Sequence, residues 1–267
     1  ATTYELVRRG MWIEIGDRLR RVKRALLRYE YQIVDPDAPS EVLSSLEREK
    51  QRARIASLTP TLEWDTRDDL FLPTRGVLAS LQFQSSWPIF EADALFDKLT
   101  ASISGYAPFA GGVLAGSLRS GFIRPRSAHD PHTKGPIDVP ISARFFAGGR
   151  ISHRAFATDK LGIPGETLTD AGDPVGGGGL VLINLEWRLP LWGPVGANFF
   201  VDGGNVWREY NDIEARQVRW GGGLGVRVET PVGPLRLEYG WKLKRELIAA
   251  GRLESPGQFY ISFGNPF

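Results

Sequence analysis

Apolar and polar residues alternate along most of this chain with a period of two. In Leu180–Trp192 the residues Val181, Ile183, Leu185, Trp187 and Leu189 are apolar, while Asn184, Glu186 and Arg188 between them are polar. Successive side chains of a strand point to opposite faces, so the stretch predicts a strand with one greasy and one polar side. In Val195–Trp207, Phe199 and Val201 share one face, and Asn198, Phe200 and Asp202 share the other. The same reading predicts strands over Met11–Leu19, Ala25–Val34, Ile55–Arg67, Val77–Trp87, Asp93–Phe109, Gly112–Arg124, Trp220–Thr230, Leu235–Leu243 and the last stretch from Gly257. Turns fall at Ala110–Gly111 and Thr230–Pro234, and Pro and Gly punctuate Asp68–Gly76. Asp35–Arg54 opens on Pro and Asp and runs into Glu, Lys and Arg, which predicts a solvated surface loop with a short helix. The count is about twelve strands, an even number of the kind membrane barrels use. No long amphipathic helix and no true internal repeat accompany them.

A soluble β-sandwich would turn the greasy faces inward, usually with strands of about 5–6 residues. The strands here run longer, and a membrane-spanning strand needs about 9–11 residues. Their polar faces mix Arg, Glu, Lys and Asp with Gly, and Trp and Tyr gather near strand ends. These features favour an outer-membrane barrel with a charged lumen. Mean hydropathy is −0.20, and no run of about 18 apolar residues exists, so no transmembrane helix is predicted. That test is blind to barrel strands, whose two faces average out. The net charge of +2 is too near neutral to argue for a nucleic-acid partner. The chain has no cysteine, which excludes disulfides, thiolate metal sites and a cysteine nucleophile. Its start, ATTYEL, lacks the basic and apolar regions of a signal peptide.

No catalytic constellation stands out, and the chain is not expected to be an enzyme. There is no GxSxG nucleophile elbow. The Gly176–Gly179 run lacks the Lys of a phosphate loop and reads as a flexible entry into a strand. His129 and His132 have metal-like spacing but sit in a Pro-rich segment without acids at fixed geometry, so no metal or cofactor is expected. Arg154 is the one residue with a sharp chemical possibility. Its planar guanidinium can grip a carboxylate with two parallel bonds, and Glu186 and Asp202 occupy polar faces of adjacent predicted strands.

Several longer stretches carry a family resemblance. They are WDTRDDLFLPTRG (Trp64–Gly76), FFAGGRISHRAF (Phe145–Phe156), LEWRLPLWGPVG (Leu185–Gly196), FFVDGGNVW (Phe199–Trp207), GGGLGVRVETPVGPLRLEYGWKL (Gly221–Leu243) and a terminal strand ending in Phe. Together they resemble the C-terminal barrel of the outer-membrane assembly and translocation family (BamA/TamA-like, the bacterial surface antigen family). The resemblance implies an all-β, antiparallel transmembrane barrel over residues 1–267, with a long surface loop folded into the lumen. The family barrel usually has sixteen strands preceded by periplasmic POTRA domains. The expectation is that the missing strands and POTRA domains lie outside this chain, or that the barrel is a shortened one. The family loop motif is usually Arg-Gly-Phe, whereas Arg154-Ala155-Phe156 stands here. Ala restricts the backbone mainly where φ would be positive.

The resemblance further implies that the loop docks Arg154 on Glu186 and Asp202, with Phe156 in the motif and Phe200 beside the guanidinium. Phe259, Ile261, Phe263 and Phe267 are expected to form the strand by which the chain itself is recognised for insertion. Leu235, Leu237, Tyr239, Trp241, Val226 and Val228 should face lipid, and Arg236, Glu238, Lys242 and Arg227 the lumen. The implied function is an outer-membrane protein assembly, insertion or translocation factor acting through a barrel seam. Its partners would be membrane lipids, outer-membrane protein clients or a secreted polypeptide, and periplasmic or envelope subunits. A passive pore or secretion channel, or a membrane anchor for a partner protein, is the alternative.

Overall fold

The computed structural model describes residues 5–20, 23–38, 41–44, 47–48, 51–126, 137–231, 233–248 and 252–267. His129 and His132 lie outside them. Among the described residues eleven strands, where about twelve were expected, form one antiparallel meander, each paired with its predecessor in the sheet. They are β1 (Glu5–Arg20), β2 (Lys23–Asp37), β3 (Ala53–Asp65), β4 (Gly76–Ser86), β5 (Phe96–Phe109), β6 (Gly112–Pro125), β7 (Gly179–Trp192), β8 (Val195–Trp207), β9 (Arg219–Val228), β10 (Leu235–Lys242) and β13 (Gly257–Phe263). The predicted polar loop after β10 contains a small hairpin, β11 (Leu247–Ile248) with β12 (Arg252–Leu253), outside the main sheet. β1 and β13 are the two ends of the sheet. Among the described residues no helix is long and apolar enough to cross a membrane, a test that leaves strands aside.

Turn chemistry sets the meander. Ala110 and Gly111 both have positive φ, the two-residue hairpin turn whose twist matches the flanking strands. Asp68 folds the β3–β4 link by accepting the backbone N–H groups of Thr74 and Arg75. The connections β5–β6, β7–β8 and β9–β10 are short and lie at one end of the sheet. Those of β2–β3, β6–β7 and β10–β13 are long and lie at the other. In outer-membrane barrels the short turns face the periplasm and the long loops the outside.

The two faces differ as the alternation predicts. Leu237 is 46% exposed while its neighbour Glu238 is 1% exposed. Leu235, Tyr239, Trp241, Val226 and Val228 are exposed with Leu237, whereas Arg236 and Arg227 are buried with Glu238. An apolar face open to the outside over this many strands is a lipid-facing surface. The polar face, here the inner face, is covered by residues 137–178. Lys98 of β5 donates to the Ala143 carbonyl (2.7 Å), Arg119 of β6 to that of Ile151 (3.2 Å), and Tyr260 of β13 to that of Phe156 (2.5 Å). A hydrophobic cluster including Phe96, Ile123, Ile137, Phe145, Phe156, Leu180, Leu182 and Val206 fills the space under this loop.

Two expectations are corrected here. Asp35–Arg54 is not simply a solvated loop, because Val42, Ser44 and Glu47 are buried. Glu47 accepts the backbone N–H of Ser44 (3.0 Å) and of Ile141 (3.1 Å), so a residue from the charged run is drawn inward to satisfy buried backbone donors. Gly176–Gly179 is not a loose link either, since all four residues are buried. A Cβ on Gly177 would lie 2.0 Å from the Trp207 carbonyl oxygen, so these glycines serve close packing.

Candidate functional site

The site lies where the loop tip crosses β7 to β10. A turn closed by Phe156 N–H on the His153 carbonyl (3.1 Å) presents Arg154. Arg154 is 1% exposed. Its Nε donates to Asp202 Oδ2 (2.9 Å) and its Nη2 to Asp202 Oδ1 (2.8 Å), a two-bond grip. Its backbone N–H also donates to Asp202 Oδ2 (2.9 Å). Nη1 pairs with Glu186 Oε2 and donates to Glu238 Oε1 (3.1 Å). The guanidinium carbon sits 3.6 Å from the centroid of the Phe200 ring. Three strands thus contribute an acid and a fourth contact is aromatic.

Strand register explains why these groups meet. Asn184 pairs with Asp202 and Glu186 with Phe200 across β7–β8. Alternate residues on one face then bring Glu186 and Asp202 into diagonal contact range. Asn184 bridges loop and strand, donating to the Ser152 carbonyl (2.6 Å) and to Asp202 Oδ1 (2.8 Å). Arg236 donates to Glu186 Oε2 and Glu238 Oε1, both at 2.6 Å, and Arg188 Nε donates to Glu186 Oε1 (2.7 Å). Asn198 donates to Glu238 Oε1 (2.7 Å). Four buried side-chain atoms of the network have no hydrogen-bond partner: Arg188 Nη2, Arg227 Nε, Asn198 Oδ1 and Glu238 Oε2.

Glycines on the inner face make room for the loop. A Cβ on Gly240 would lie 2.6 Å from the Arg154 carbonyl oxygen, and one on Gly221 would lie 2.5 Å from the Ala155 Cβ. Ala155 itself has no positive φ, so alanine carries no backbone penalty at this position of the loop motif. Phe156 is buried between two cations, with Lys242 Nζ 4.6 Å and the Arg219 guanidinium carbon 5.0 Å from its ring centroid. His153 is fully buried, bonded through Nε2 to the Arg219 carbonyl (3.1 Å) and packed edge-on against Phe156. Burial pushes its pKa below the ordinary histidine value. With a carbonyl as partner, Nε2 carries the proton.

Of the five residues predicted for the loop site, Arg154, Glu186, Phe200 and Asp202 meet, while Phe156 lies beside them against His153, Arg219 and Lys242. Glu238 was assigned only to the polar face of β10, and its contact with Arg154 follows from β10 lying two strands beyond β8. The four residues predicted for the terminal strand are divided. Phe259, Ile261 and Phe263 lie on β13 with exposed side chains. Phe267 lies past the strand. Gly264, at φ +85°, turns the chain after β13, Pro266 is buried, and the Phe267 ring stands 5.8 Å from the Arg188 guanidinium carbon on the inner face. Among the described residues no cluster of His, Cys, Asp and Glu could hold a metal ion.

An exposed apolar face, a polar face filled by a loop, and short and long connections at opposite ends define an integral outer-membrane β-barrel sheet. The chain belongs to the Omp85 superfamily, whose domain matches residues 1–267. It is 28% identical over 242 residues to the outer membrane protein assembly factor BamA of Nitratidesulfovibrio vulgaris, which spans 87% of this chain and 29% of that protein. In fold it is similar to the crystal structure of Haemophilus ducreyi BamA lacking POTRA domains 1–3, with a TM-score of 0.74 and 20% identity, over 96% of this chain and 53% of that one. It is also similar to CdiB from Acinetobacter baumannii, with a TM-score of 0.55 and 13% identity, over 98% of this chain and 42% of that one. The chain therefore spans under a third of the curated relative and about half of the first solved structure.

Proposed function

We propose that this chain is the barrel portion of an outer-membrane protein assembly or translocation factor, acting without enzymatic chemistry. The observation that carries the reading is membership of the Omp85 superfamily along the whole chain, together with a relative named as an outer-membrane protein assembly factor. The fold supplies a physical route. β13 has seven residues, the fewest of the eleven strands in the sheet, so it offers few ladder bonds to any strand beside it. An unpaired strand edge is a template for another strand. Clients on this reading are outer-membrane or secreted polypeptides that add to such an edge, and envelope subunits are the further partners.

Within this reading, Arg154 holds the loop on the inner face through Asp202, Glu186 and Glu238. Residues 1–267 act as one barrel domain. Phe259, Ile261 and Phe263 present the lipid-facing side of the strand through which the chain itself is inserted. A passive pore fits less well, because residues 137–178 fill the inner face. The test is reconstitution of the full-length protein in liposomes with an unfolded outer-membrane protein as client. The expected result is faster appearance of heat-modifiable, protease-resistant client. Ion conductance without any gain in client insertion would favour the pore and sink the assembly reading.

A further inference from the structure

The inner face holds a second feature that the loop clamp leaves unused. At the short-turn end a cavity of about 550 Å³ is lined by Leu72, Pro108, Val113, Arg188, Arg227 and Glu229, among others. That volume falls within the ordinary range of about 300–1,000 Å³ for ligand sites. Arg188 is 4% exposed and Arg227 is 6% exposed. Among the described residues the Arg188 side chain hydrogen-bonds only through Nε, to Glu186, and that of Arg227 only through Nη2, to Glu229 at 3.1 Å. A guanidinium carries five N–H donors. Arg188 Nη2 and Arg227 Nε are buried without any acceptor.

Charge points the same way. Arg154, Arg188, Arg227 and Arg236 are buried in this region against Glu186, Asp202 and Glu238, an excess of one cation. Glu229 also lines the cavity and bonds Arg227, but its side chain is 52% exposed, so it offsets this excess only from the solvated mouth. The surplus falls at the cavity rather than at the clamp, because Arg154 and Arg236 spend their donors on the three acids. Buried donors without acceptors carry a desolvation cost that is larger when they are charged, so an anion that supplies lone pairs there relieves it.

We propose that this cavity is a carboxylate-binding site, reached from the periplasmic end of the barrel, for an acidic side chain within an apolar stretch of polypeptide. The guanidinium fork matches a carboxylate. The walls of Leu72, Pro108 and Val113 suit apolar residues flanking that acid. Phe267 already sets an apolar ring against the Arg188 guanidinium, so the environment accepts such a neighbour. A lipid headgroup is the poorer occupant, because the site is on the inner face, away from the apolar surface that would house its tails. The inference needs only the orientation of the barrel and does not rest on the assembly reading.

The experiment uses the full-length protein in lipid nanodiscs and fluorescence anisotropy. The probes are two labelled peptides, one alternating Leu and Asp and one alternating Leu and Asn. The Asp peptide should bind at least about tenfold more tightly than the Asn peptide, with an affinity that falls as salt is raised. Arg227→Gln should lower Asp-peptide affinity by about tenfold or more while the barrel keeps its heat-modifiable mobility. Arg188→Gln should do the same, but it also removes a partner of Glu186, so Arg227→Gln is the deciding variant. Equal binding of the two peptides, or unchanged affinity in Arg227→Gln, overturns the proposal. Displacement of the Asp peptide by inorganic phosphate or by phosphatidylglycerol vesicles, but not by acetate, also overturns it and assigns the site to a phosphate. Client insertion measured alongside separates this outcome from failure of the assembly reading.

Discussion

Arg144 and Arg154 lie in the same loop and are both buried, yet they are held by different kinds of partner. Arg154 is gripped by side-chain carboxylates from three strands of the sheet. Arg144 is held by backbone carbonyls. Its Nε donates to Val139 (2.9 Å), and its Nη1 to Val42 (2.6 Å) and Val175 (2.9 Å). The acid Glu47 is 3.5 Å away and belongs to the β2–β3 connection. Arg154 therefore ties the loop to the sheet, and Arg144 ties one long loop to another. Breaking the first should disturb the barrel, and breaking the second should disturb its outer cap.

The largest effect is expected for Arg154→Ala. Removing one partner of a fully buried ion pair costs about 3–5 kcal/mol, because the other charge stays buried and unpaired. The three acids do not suffer equally. Glu186 and Glu238 keep Arg236, but among the described residues Asp202 keeps only two neutral donors, Asn184 and the backbone N–H of residue 154. The thermal midpoint of the barrel should therefore fall sharply in Arg154→Ala and recover in part when Asp202→Asn is added. A double-mutant cycle on the melting temperature should show stronger coupling of Arg154 to Asp202 than to Glu238. Additive losses for the Asp202 pair would refute the clamp. Arg154→Lys should rescue little, because an ammonium cannot make the two parallel bonds.

Next in size is Arg144→Ala. Hydrogen bonds to a charged group are worth about 1.5–3 kcal/mol each, and three carbonyls lose their donor. The loss should appear as faster proteolysis in residues 41–48 and 137–145, with a smaller fall in the melting temperature than Arg154→Ala gives. Lysine should rescue better here, since separate carbonyls do not demand a planar fork. Equal melting losses for the two alanine variants would erase the distinction between sheet anchor and cap anchor.

This contrast also explains what could be read from the sequence. The strands, and the face each side chain takes, followed from alternation, because a lipid-facing surface selects apolar residues at every second position. Asp202 and Glu186 were legible as partners because carboxylates on a polar strand face announce themselves and β7 and β8 are a hairpin. Glu238 was harder, since a meander sets its distance from the loop only once β9 is in place. The Arg144 site was illegible. Carbonyl acceptors exist at every residue, so nothing in Val42, Val139 or Val175 marks them as partners. Glu47 was hidden in a charged run that reads as solvated surface. Phe267 was misleading for another reason: the alternation of β13 continues to Phe263, and only Gly264 hints that the chain then turns.

A smaller effect is expected at Gly221. An added Cβ there would meet the Ala155 Cβ at 2.5 Å and His153 Cε1 at 2.8 Å. Overpacking of this kind costs about 1–3 kcal/mol. Gly221→Ala should lower the melting temperature and loosen the loop, and adding Ala155→Gly should restore part of the loss. Because Ala155 lacks positive φ, Ala155→Gly alone should be mildly destabilising through backbone entropy. If the double variant is no better than Gly221→Ala, the contact between these two positions does not limit loop docking.

The smallest effect concerns acid. His153 is buried and neutral, and burial holds its pKa below the ordinary value of about 6.5. Once the loop is released, the same ring regains that ordinary value. Below about pH 6.5 the released state then binds a proton that the docked state refuses, so docking loses stability as pH falls. Above that pH neither state is protonated and the contribution is complete. One such group gives a slope of at most about 1.4 kcal/mol per pH unit, and the slope ends at the docked-state pKa. The proton would go to Nδ1, which is buried without a hydrogen-bond partner, while Nε2 serves the Arg219 carbonyl. Protease susceptibility of the loop should therefore rise between pH 7 and pH 5 in the native protein. His153→Gln should flatten that rise while leaving the Arg154 contacts in place. An undiminished rise in His153→Gln would move the acid sensitivity to the carboxylates of the clamp and away from the ring.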